Sequence, residues 1–325
     1  MARSDLLVSL VKAGASGDQV AFRKTVESLI AEERSKRHEI LANRLAEQLE
    51  RNGSPRVSPP RMASSASIHD LVYELVPKRT LDDLVLSETV RETCLELVEE
   101  HNRAELLRSH NLTPRNRVLL AGAPGNGKTS LAEALANSLM VPFIVVRYDG
   151  VIASYLGETA SRLRRLFDYV HTRQCVLFFD EFDTIGKERG DIHETGEIKR
   201  VVSSLLLQVD DLPPHVVVVT ATNHPELLDR AVWRRFQIRL ELPPPTPSQA
   251  EHYFEQAAER LDLSLGMKPS TLASKLAGLS YSELEDFIGH VARRYVLSLP
   301  DADPRNIVQR TLRHWQSRFS PKEPQ

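Results

Sequence analysis

Nine consecutive residues, GAPGNGKTS from Gly122 to Ser130, carry the clearest chemistry in the chain. They fit the pattern G-x-x-x-x-G-K-[ST], in which glycines let backbone N–H groups face an anion and the following helix adds positive potential at its N-terminus. The pattern predicts a loop that binds a nucleoside triphosphate, with Lys128 on the β- and γ-phosphates and the Thr129 hydroxyl on Mg²⁺. The predicted nucleotide-binding residues of the loop are Gly122, Pro124, Gly125, Asn126, Gly127, Lys128, Thr129 and Ser130.

Two adjacent carboxylates, Asp180 and Glu181, follow the apolar run CVLFF. We expect a buried strand there, beside the strand that precedes the glycine loop. At the carboxyl end of that strand Asp180 would hold Mg²⁺ through water, and Glu181 would act as the general base on an attacking water. The alternative, two solvated loop carboxylates, fits the apolar strand before them less well.

Two further positions are ambiguous from their residue types alone. Asn223 ends the run VVVVTATN, where its amide could bond both the γ-phosphate and the attacking water, yet an Asn before His224-Pro225 is also typical of a turn. Arg234 and Arg235 stand together before Phe236. An arginine supplied by another subunit stabilises the charge of phosphoryl transfer, whereas an isolated pair is more often solvated surface charge.

The elements that must position these residues follow an α/β pattern from about residue 71 to 250. Apolar runs with strand character alternate with helical stretches, which predicts a parallel, doubly wound sheet. The prolines between 243 and 247 end the sheet region, and the helical pattern after them predicts a compact lid. The predicted strands are Val118–Ala121, Phe143–Arg147, Val176–Phe179, Val216–Thr220 and Ile238–Leu240, and the predicted lid helices are Ser248–Leu261, Ser270–Ala277, Ser282–Leu299 and Arg305–Phe319.

The domain organisation follows from these changes in pattern. Residues 1–51 carry three apolar helical faces and are predicted to form a helical bundle that recruits a partner or substrate. Residues 52–67 are rich in Pro, Ser and Gly and are predicted to be a flexible linker. The α/β domain that carries the glycine loop is assigned to 68–247, and the lid with its C-terminal tail to 248–325.

The composition of the 325 residues argues against several classes of protein. The chain has 42 Lys and Arg residues against 44 Asp and Glu residues and therefore no overall basic bias. Its charge gives no indication that it binds nucleic acid. The two cysteines, Cys94 and Cys175, lie far apart and suit a reducing compartment. No apolar run approaches the roughly 18 residues of a membrane span, and the start lacks a signal peptide. We therefore expect a cytoplasmic protein that does not associate with a membrane.

The motifs GAPGNGKT, SYLGETASRLRRLFD, VLFFDEFD and VVVVTATNHPELLDRAVWRRFQIRL, in this order, resemble the AAA family of AAA+ ATPases over about residues 81–299. The resemblance implies the Walker A motif at Gly122–Thr129 and the Walker B motif at Val176–Glu181. It also implies sensor 1 at Asn223 and arginine fingers at Arg234 and Arg235 that reach the ATP of a neighbouring subunit. Fingers that act between subunits imply a head-to-tail ring, a hexamer in most members.

The resemblance also assigns a substrate-binding segment. Tyr155, Leu156 and Gly157 match an aromatic–hydrophobic–glycine loop that lines the central pore of such rings and grips an extended polypeptide. By residue type alone Tyr155 is more often a core aromatic, although Ser154 and Gly157 favour a loop. A second pore loop is expected near residues 189–194.

Two more segments gain a role from the same resemblance. KRTLDDLVLSETV is similar to the segment that frames the adenine, so Asp83, Leu84 and Leu86 are expected to border the base. GLSYSELEDF is similar to the element GxSGADL of the lid, whose helix start faces the nucleotide. Here Tyr281 and Ser282 replace the usual Gly-Ala, and because the element contains no arginine, an arginine sensor in the lid is not predicted.

The leading hypothesis is an ATP-driven ring that unfolds, remodels or translocates a protein substrate. The chain contains neither H-E-x-x-H nor G-x-S-x-G, so any proteolysis requires another chain. The arrangement resembles stand-alone bacterial members, some encoded beside subtilisin-like serine proteases, which makes a separate serine protease a candidate partner. The alternatives are a nucleic-acid motor or loader, for which no basic stripe or set of stacking aromatics stands out, and a nucleotide-controlled assembly switch.

Overall fold

A computed structural model describes residues 68–151, 156–182, 204–228 and 230–319, together with Thr25, Val26 and Ile30. The chain divides into two compact units, Met1–Ser65 and Ala66–Gln325. Within the first unit the three described positions are helical, and the side chains of Val26 and Ile30 are buried, as the apolar face predicted there requires. Most of the predicted bundle, the linker, Tyr155 and the segment 189–194 lie outside the described residues.

A six-stranded sheet forms the centre of the second unit, with the strand order β1-β3-β4-β5-β2-β6. Strands β2 to β6 are parallel to one another, which confirms the predicted parallel α/β sheet. β1 pairs with β3 in the antiparallel direction, an edge strand that the sequence pattern did not predict. The strands are β1 (Val72–Leu75), β2 (Arg117–Ala121), β3 (Phe143–Val146), β4 (Cys175–Phe179), β5 (Val216–Thr222) and β6 (Ile238–Glu241).

Helices connect and cover these strands. Those before β5 are α1 (Ile68–Leu71), α2 (Glu88–Asn102), α3 (Ala104–Ser109), α4 (Lys128–Ser138), α5 (Tyr148–Val151), α6 (Leu156–His171) and α7, described over 204–211. After β5 come α8 (Arg230–Trp233), α9 (Pro247–Arg260), α10 (Pro269–Lys275), α11 (Tyr281–Leu297) and α12 (Pro304–Phe319). Single 3₁₀ turns lie at Leu81–Asp83 and Pro225–Leu227. Within the described part of the chain, no helix has both the length and the apolar character to cross a bilayer.

The sheet is covered on both faces because side chains alternate along each strand. In β2, Val118 and Leu120 pack into one buried cluster, whereas Leu119 packs into the cluster on the opposite face. In β4 the same alternation separates Val176 from Leu177. Burial on both faces explains why the parallel strands read as continuous apolar runs and could be located from the sequence.

The predicted lid is a helical region with its own core after β6. The rings of Phe254 and Phe287 lie 6.2 Å apart and those of Phe287 and Trp315 lie 5.7 Å apart, both edge to face. The helices α9 and α11 begin one residue earlier than predicted, since Thr246 and Ser280 cap them. Each cap accepts a backbone N–H three residues on while the side chain at that third position bonds back to the cap, so both capping boxes are complete.

Candidate functional site

The glycine loop lies between the end of β2 and the start of α4 and depends on backbone shapes that glycine favours. Gly122, Gly125 and Gly127 have φ values of +150°, +79° and +83°. A Cβ at Gly122 would lie 2.3 Å from the carbonyl oxygen of Leu242, so the loop and the segment after β6 approach too closely for a side chain. A Cβ at Gly127 would meet no atom within 4 Å, which leaves open space beside the first turn of α4.

Lys128, the first residue of α4, folds back over the loop. Its ammonium group donates to the carbonyl oxygens of Gly122 at 2.7 Å and Ala123 at 3.0 Å. The side chain is only 6% exposed, so this positive charge lies inside the loop rather than in solvent. The first N–H groups of a helix have no partners within the helix and attract anions. The loop therefore combines a buried cation with a helix N-terminus, an arrangement that suits a phosphate.

Thr129 and Asp180 meet across the sheet edge, where the Thr129 hydroxyl donates to Asp180 Oδ2 at 3.1 Å. The other carboxylate oxygen of Asp180 accepts the backbone N–H of Glu181 at 2.9 Å. A hydroxyl and a carboxylate oxygen are ligands of the kind that Mg²⁺ takes in proteins. These two side chains could therefore hold the ion next to the phosphates, directly or through water.

The structure corrects one detail of the predicted sheet. Asp180 follows β4, which is not adjacent to β2, because β5 lies between them. Asn223 follows this central β5 and is half-buried, so its amide stands between the glycine loop and the two carboxylates. Backbone hydrogen bonds from Gly122 to Thr222 and from Phe182 to Ala221 fix the ends of the three strands to one another.

A single cavity of about 370 Å³ collects most of the predicted residues. Glu181 lines this cavity with an exposed side chain and a left-handed backbone at φ +46°, a conformation that costs a non-glycine residue free energy. Of the predicted set, the cavity wall includes Pro124, Gly125, Asn126, Gly127, Lys128, Thr129, Ser130, Asp180, Glu181, Asn223, Asp83, Leu84 and Leu86.

The far end of the cavity is built by the 3₁₀ turn at Leu81–Asp83 and by the lid. Asp83 accepts the Thr80 backbone N–H at 2.7 Å and the Thr80 hydroxyl at 2.8 Å, and these hydrogen bonds lower the pKa of its carboxyl. From the lid, the Tyr281 hydroxyl donates to the Val85 carbonyl oxygen at 2.9 Å. The Ser282 backbone N–H donates to the Gly125 carbonyl oxygen at 3.0 Å, so the lid helix α11 is docked directly on the glycine loop.

Five residues of the cavity wall were not identified from the sequence: Arg79, Val85, Tyr253, Arg260 and Glu285. Burial raises the pKa of the Tyr253 phenol to about 12, and Arg260 lies 3.9 Å from Glu285. Tyr253 and Arg260 are seven positions apart and so share one face of α9. That spacing was available in the sequence, but which face of α9 meets the cavity depends on the packing of the lid. The lid thus brings an arginine to the cavity from α9 rather than from the element at Ser280.

Gly122 and the two predicted arginine fingers, all among the described residues, do not line this cavity. Arg234 is exposed, and Arg235 donates to the Leu206 carbonyl oxygen at 3.4 Å and to the Asp210 carboxylate, which Arg117 also contacts. Neither arginine lines the cavity of its own chain. Tyr155 lies outside the described residues, while Leu156 and Gly157 form the first turn of α6 instead of the loop expected there.

Comparison with known proteins gives a match to the family described as "ATPase family associated with various cellular activities (AAA)" over residues 118–244. The matched range runs from the start of the glycine-loop strand through β6 and contains Asp180, Glu181, Asn223 and both arginines. It therefore covers the part of the sheet that carries the polar end of the cavity.

Three relatives show how far the similarity extends. An uncharacterised AAA family ATPase, y4kL, of Sinorhizobium fredii is 35% identical over 290 residues, 88% of this chain and 87% of that protein. A putative 26S proteasome regulatory subunit homologue of Methanothermobacter marburgensis is 30% identical over 236 residues, 72% of this chain and 62% of that protein. The ATP-dependent zinc metalloprotease FtsH 3 of Sphaerobacter thermophilus is 31% identical over 245 residues, 73% of this chain and 50% of that protein.

Proposed function

The chain belongs to the AAA family of ATPases and hydrolyses ATP, and we propose that it uses this hydrolysis to remodel a protein substrate within a ring of identical subunits. The observation that carries the site assignment is the convergence of Lys128, the Thr129–Asp180 pair, Glu181 and Asn223 on one cavity. These groups can bind the phosphates, hold Mg²⁺ and activate the attacking water. Transfer of the phosphoryl group to water further needs a positive group that stabilises the charge of the transition state, which we assign to another subunit.

Each residue then has one task in the proposed mechanism. Lys128 and the backbone N–H groups at the start of α4 bind the triphosphate oxygens and hold the terminal phosphate in place. Mg²⁺ bound by Thr129 and Asp180 would neutralise charge on the β- and γ-phosphates. Glu181 accepts a proton from the attacking water, and the Asn223 amide orients that water and the γ-phosphate. These roles require the side chains to lie at one edge of the sheet, where β2, β5 and β4 end.

The positions of Arg234 and Arg235 support the proposal that identical subunits assemble into a ring. Arg234 and Arg235 do not line the cavity of their own chain, so if either stabilises the transition state it acts on the ATP of a second copy. Such a contact joins two different surfaces of identical subunits and closes into a ring by rotation. We propose a homo-oligomeric ring, with a hexamer as the expected form.

The proposed substrate is a protein. Two of the relatives carry names that refer to the proteasome and to an ATP-dependent protease, both concerned with protein breakdown. For this chain we propose Tyr155, with Leu156 and Gly157, as the contact to an extended polypeptide, and a separate serine protease as a candidate partner. Residues 1–51 would recruit the client, 52–67 would link them to the ATPase domain 68–247, and 248–325 would form the lid.

One comparison separates this proposal from a nucleic-acid motor. The ATPase rate of the full chain is measured with an unfolded model protein, with single- and double-stranded DNA, and with neither. We expect the unfolded protein, but not DNA, to raise the ATPase rate. Tyr155→Ala should lose this stimulation and Tyr155→Phe should keep it, because the aromatic ring binds the polypeptide. Stimulation by DNA without any response to unfolded protein would overturn the proposal, and a rate indifferent to both would favour an assembly switch.

A further inference from the structure

The cavity has two chemically different ends. Around the glycine loop its wall is polar and positively charged, with Lys128 and the start of α4. At the other end the wall combines Leu84, Leu86 and the rings of Tyr253 and Tyr281 with the charged side chains of Arg79, Asp83, Arg260 and Glu285. A ligand that is anionic at one end and carries a flat ring with polar edges at the other fits both ends, and a nucleotide has this chemistry.

Tyr281 occupies a defined place at the second end. It is the first residue of α11, directly after the capping residue Ser280, and its hydroxyl reaches the Val85 carbonyl oxygen at 2.9 Å. Because α11 belongs to the lid and Val85 to the segment before α2, the half-buried tyrosine connects two elements that both line the cavity. Tyr253 supports it from the side, with the two ring centres 5.9 Å apart and an angle of 66° between the planes.

We propose that the Tyr281 ring packs against the nucleobase and strengthens nucleotide binding through that contact, a role that rests on the proposed nucleotide site. The element that this segment resembles carries glycine at the same position, and glycine has no side chain to offer a base. In this chain a tyrosine ring occupies that position. The Tyr281 hydroxyl, bonded to Val85, fixes the tilt of the ring, and Tyr253 limits its movement.

The size of the effect follows from the chemistry of stacking. A base that stacks on an aromatic side chain loses about 1–3 kcal/mol of binding when that side chain is cut back to alanine, which is about a 5- to 150-fold change in affinity. Removing only the hydroxyl leaves the ring and breaks a hydrogen bond within the protein, so binding loses only the positioning of the ring, a loss of at most about 12-fold.

The test compares ATP with inorganic tripolyphosphate, which carries the anionic end without a base. Dissociation constants are measured by calorimetry on the full chain at fixed Mg²⁺, with the substitution Glu181→Gln present in every sample to prevent hydrolysis of ATP, for Tyr281, Tyr281→Ala and Tyr281→Phe. We expect Tyr281→Ala to weaken ATP binding by about 5- to 150-fold with tripolyphosphate binding nearly unchanged, and Tyr281→Phe to lose less. The ratio of the two constants is the readout, because a partly unfolded sample lowers both affinities together.

A matched control removes a second tyrosine from the same helix. Tyr295 lies in α11 within the lid core and does not line the cavity, so Tyr295→Ala should leave the ratio unchanged. If Tyr281→Ala left the ratio of the two dissociation constants unchanged, the ring would not contribute to binding of the base. If Tyr281→Ala bound ATP more tightly, the ring would hinder that binding. Either result would overturn the proposal. If the proposed nucleotide site itself were wrong, a different result would be expected: Lys128→Ala would bind both ATP and tripolyphosphate as tightly as the wild type does.

Discussion

The hydroxyl of Thr129 and the carboxylate of Asp180 are hydrogen-bonded at 3.1 Å although the strands that precede them, β2 and β4, are separated by β5. The bond therefore passes across the end of a third strand and joins the glycine loop to the carboxylate motif. In the proposed mechanism these two side chains share Mg²⁺. Their present contact shows that the two oxygens are close enough to serve one ion or its water shell.

The first prediction concerns this pair. Asp180→Asn keeps the shape of the side chain but removes its charge, so Mg²⁺ should bind more weakly. We expect the Mg²⁺ concentration for half-maximal ATPase activity to rise by about 10- to 100-fold, the usual effect of losing a carboxylate that supports a metal. A titration of ATPase rate against Mg²⁺ measures it. Asp286→Asn, an exposed carboxylate on α11, is the control, and equal Mg²⁺ curves for the two variants would contradict the assignment.

Glu181 gives the second prediction. The Glu181→Gln side chain fills the same space and tolerates the same left-handed backbone at φ +46°, but it cannot accept a proton. ATP hydrolysis should fall by about 10²- to 10⁴-fold while ATP binding persists. Single-turnover hydrolysis and equilibrium binding of ATP, measured on the same sample, separate the two steps. A variant that hydrolyses ATP at the wild-type rate would remove Glu181 from the role of general base.

The polar end of the cavity could be predicted from the sequence because each of its side chains follows a buried strand. Strands buried on both faces read as continuous apolar runs, so Asp180 and Asn223 could be placed at strand ends without knowing the strand order. The order itself was not encoded locally, and for that reason β5 was not expected between β2 and β4. The edge strand β1 was missed because it has only four residues and Glu74 interrupts its apolar residues.

The base end of the cavity could not be predicted in the same way. Tyr253 and Arg260 come from a helix whose cavity-facing side is set by lid packing rather than by its own periodicity. The contact of Arg235 with Asp210 joins residues 25 positions apart and depends on how α7 crosses the sheet. Long-range packing, rather than residue type, decides both features.

The third prediction follows from the position of Arg235 outside its own cavity. Arg235→Ala should lower the ATPase rate by up to about 10³- to 10⁵-fold if this arginine completes the site of a neighbour. Lys128→Ala subunits should be inactive for a different reason, since they lack the phosphate-binding cation. Mixing the two inactive proteins should restore activity, because an intact cavity then meets an intact arginine.

The mixing experiment needs a check on assembly. Native mass spectrometry on the mixture establishes that rings containing both variants form. If mixed rings are present and the ATPase rate does not rise above that of either variant alone, Arg235 does not act between subunits. Arg234→Ala tested in the same way shows whether the exposed arginine shares the role.

The fourth prediction separates backbone strain from lid packing at two glycines. Alanine at either Gly125 or Gly127 must adopt a left-handed backbone, which costs roughly 1–2 kcal/mol. Only at Gly125 would the new Cβ also collide with the lid, at 2.3 Å from the Ser282 hydroxyl and 2.8 Å from that of Ser280. Gly125→Ala should therefore lower the free energy of unfolding in urea by about 1–3 kcal/mol more than Gly127→Ala.

A second substitution tests the cause of that difference. Ser282→Ala removes the nearer hydroxyl, so combining it with Gly125→Ala should recover part of the lost stability, whereas combining it with Gly127→Ala should not. Equal destabilisation by the two glycine variants would show that the docking of α11 on the glycine loop is loose enough to absorb a methyl group.

The last prediction concerns the two cysteines, which are unpaired and buried in the cores of the second unit. Burial raises the pKa of the Cys94 and Cys175 thiols from 9.0 to about 12. Above pH 9 the unfolded chain therefore releases protons that the folded chain retains, and the free energy of unfolding must fall as pH rises. The expected loss is roughly 1 kcal/mol per thiol between about pH 8 and 10.

Urea unfolding at several pH values measures this slope, and the Cys94→Ala, Cys175→Ala double variant should flatten it. Tyr253 and Tyr281, whose phenol pKa values are raised from 10.0 to about 12, contribute with the same sign but at higher pH, so the variant retains a decline above about pH 10. Iodoacetamide should label both thiols in urea and neither in the folded protein at neutral pH, because the side chains are 1% and 0% exposed. Rapid labelling of the folded chain would mean that the sheet core opens locally far more often than its packing implies.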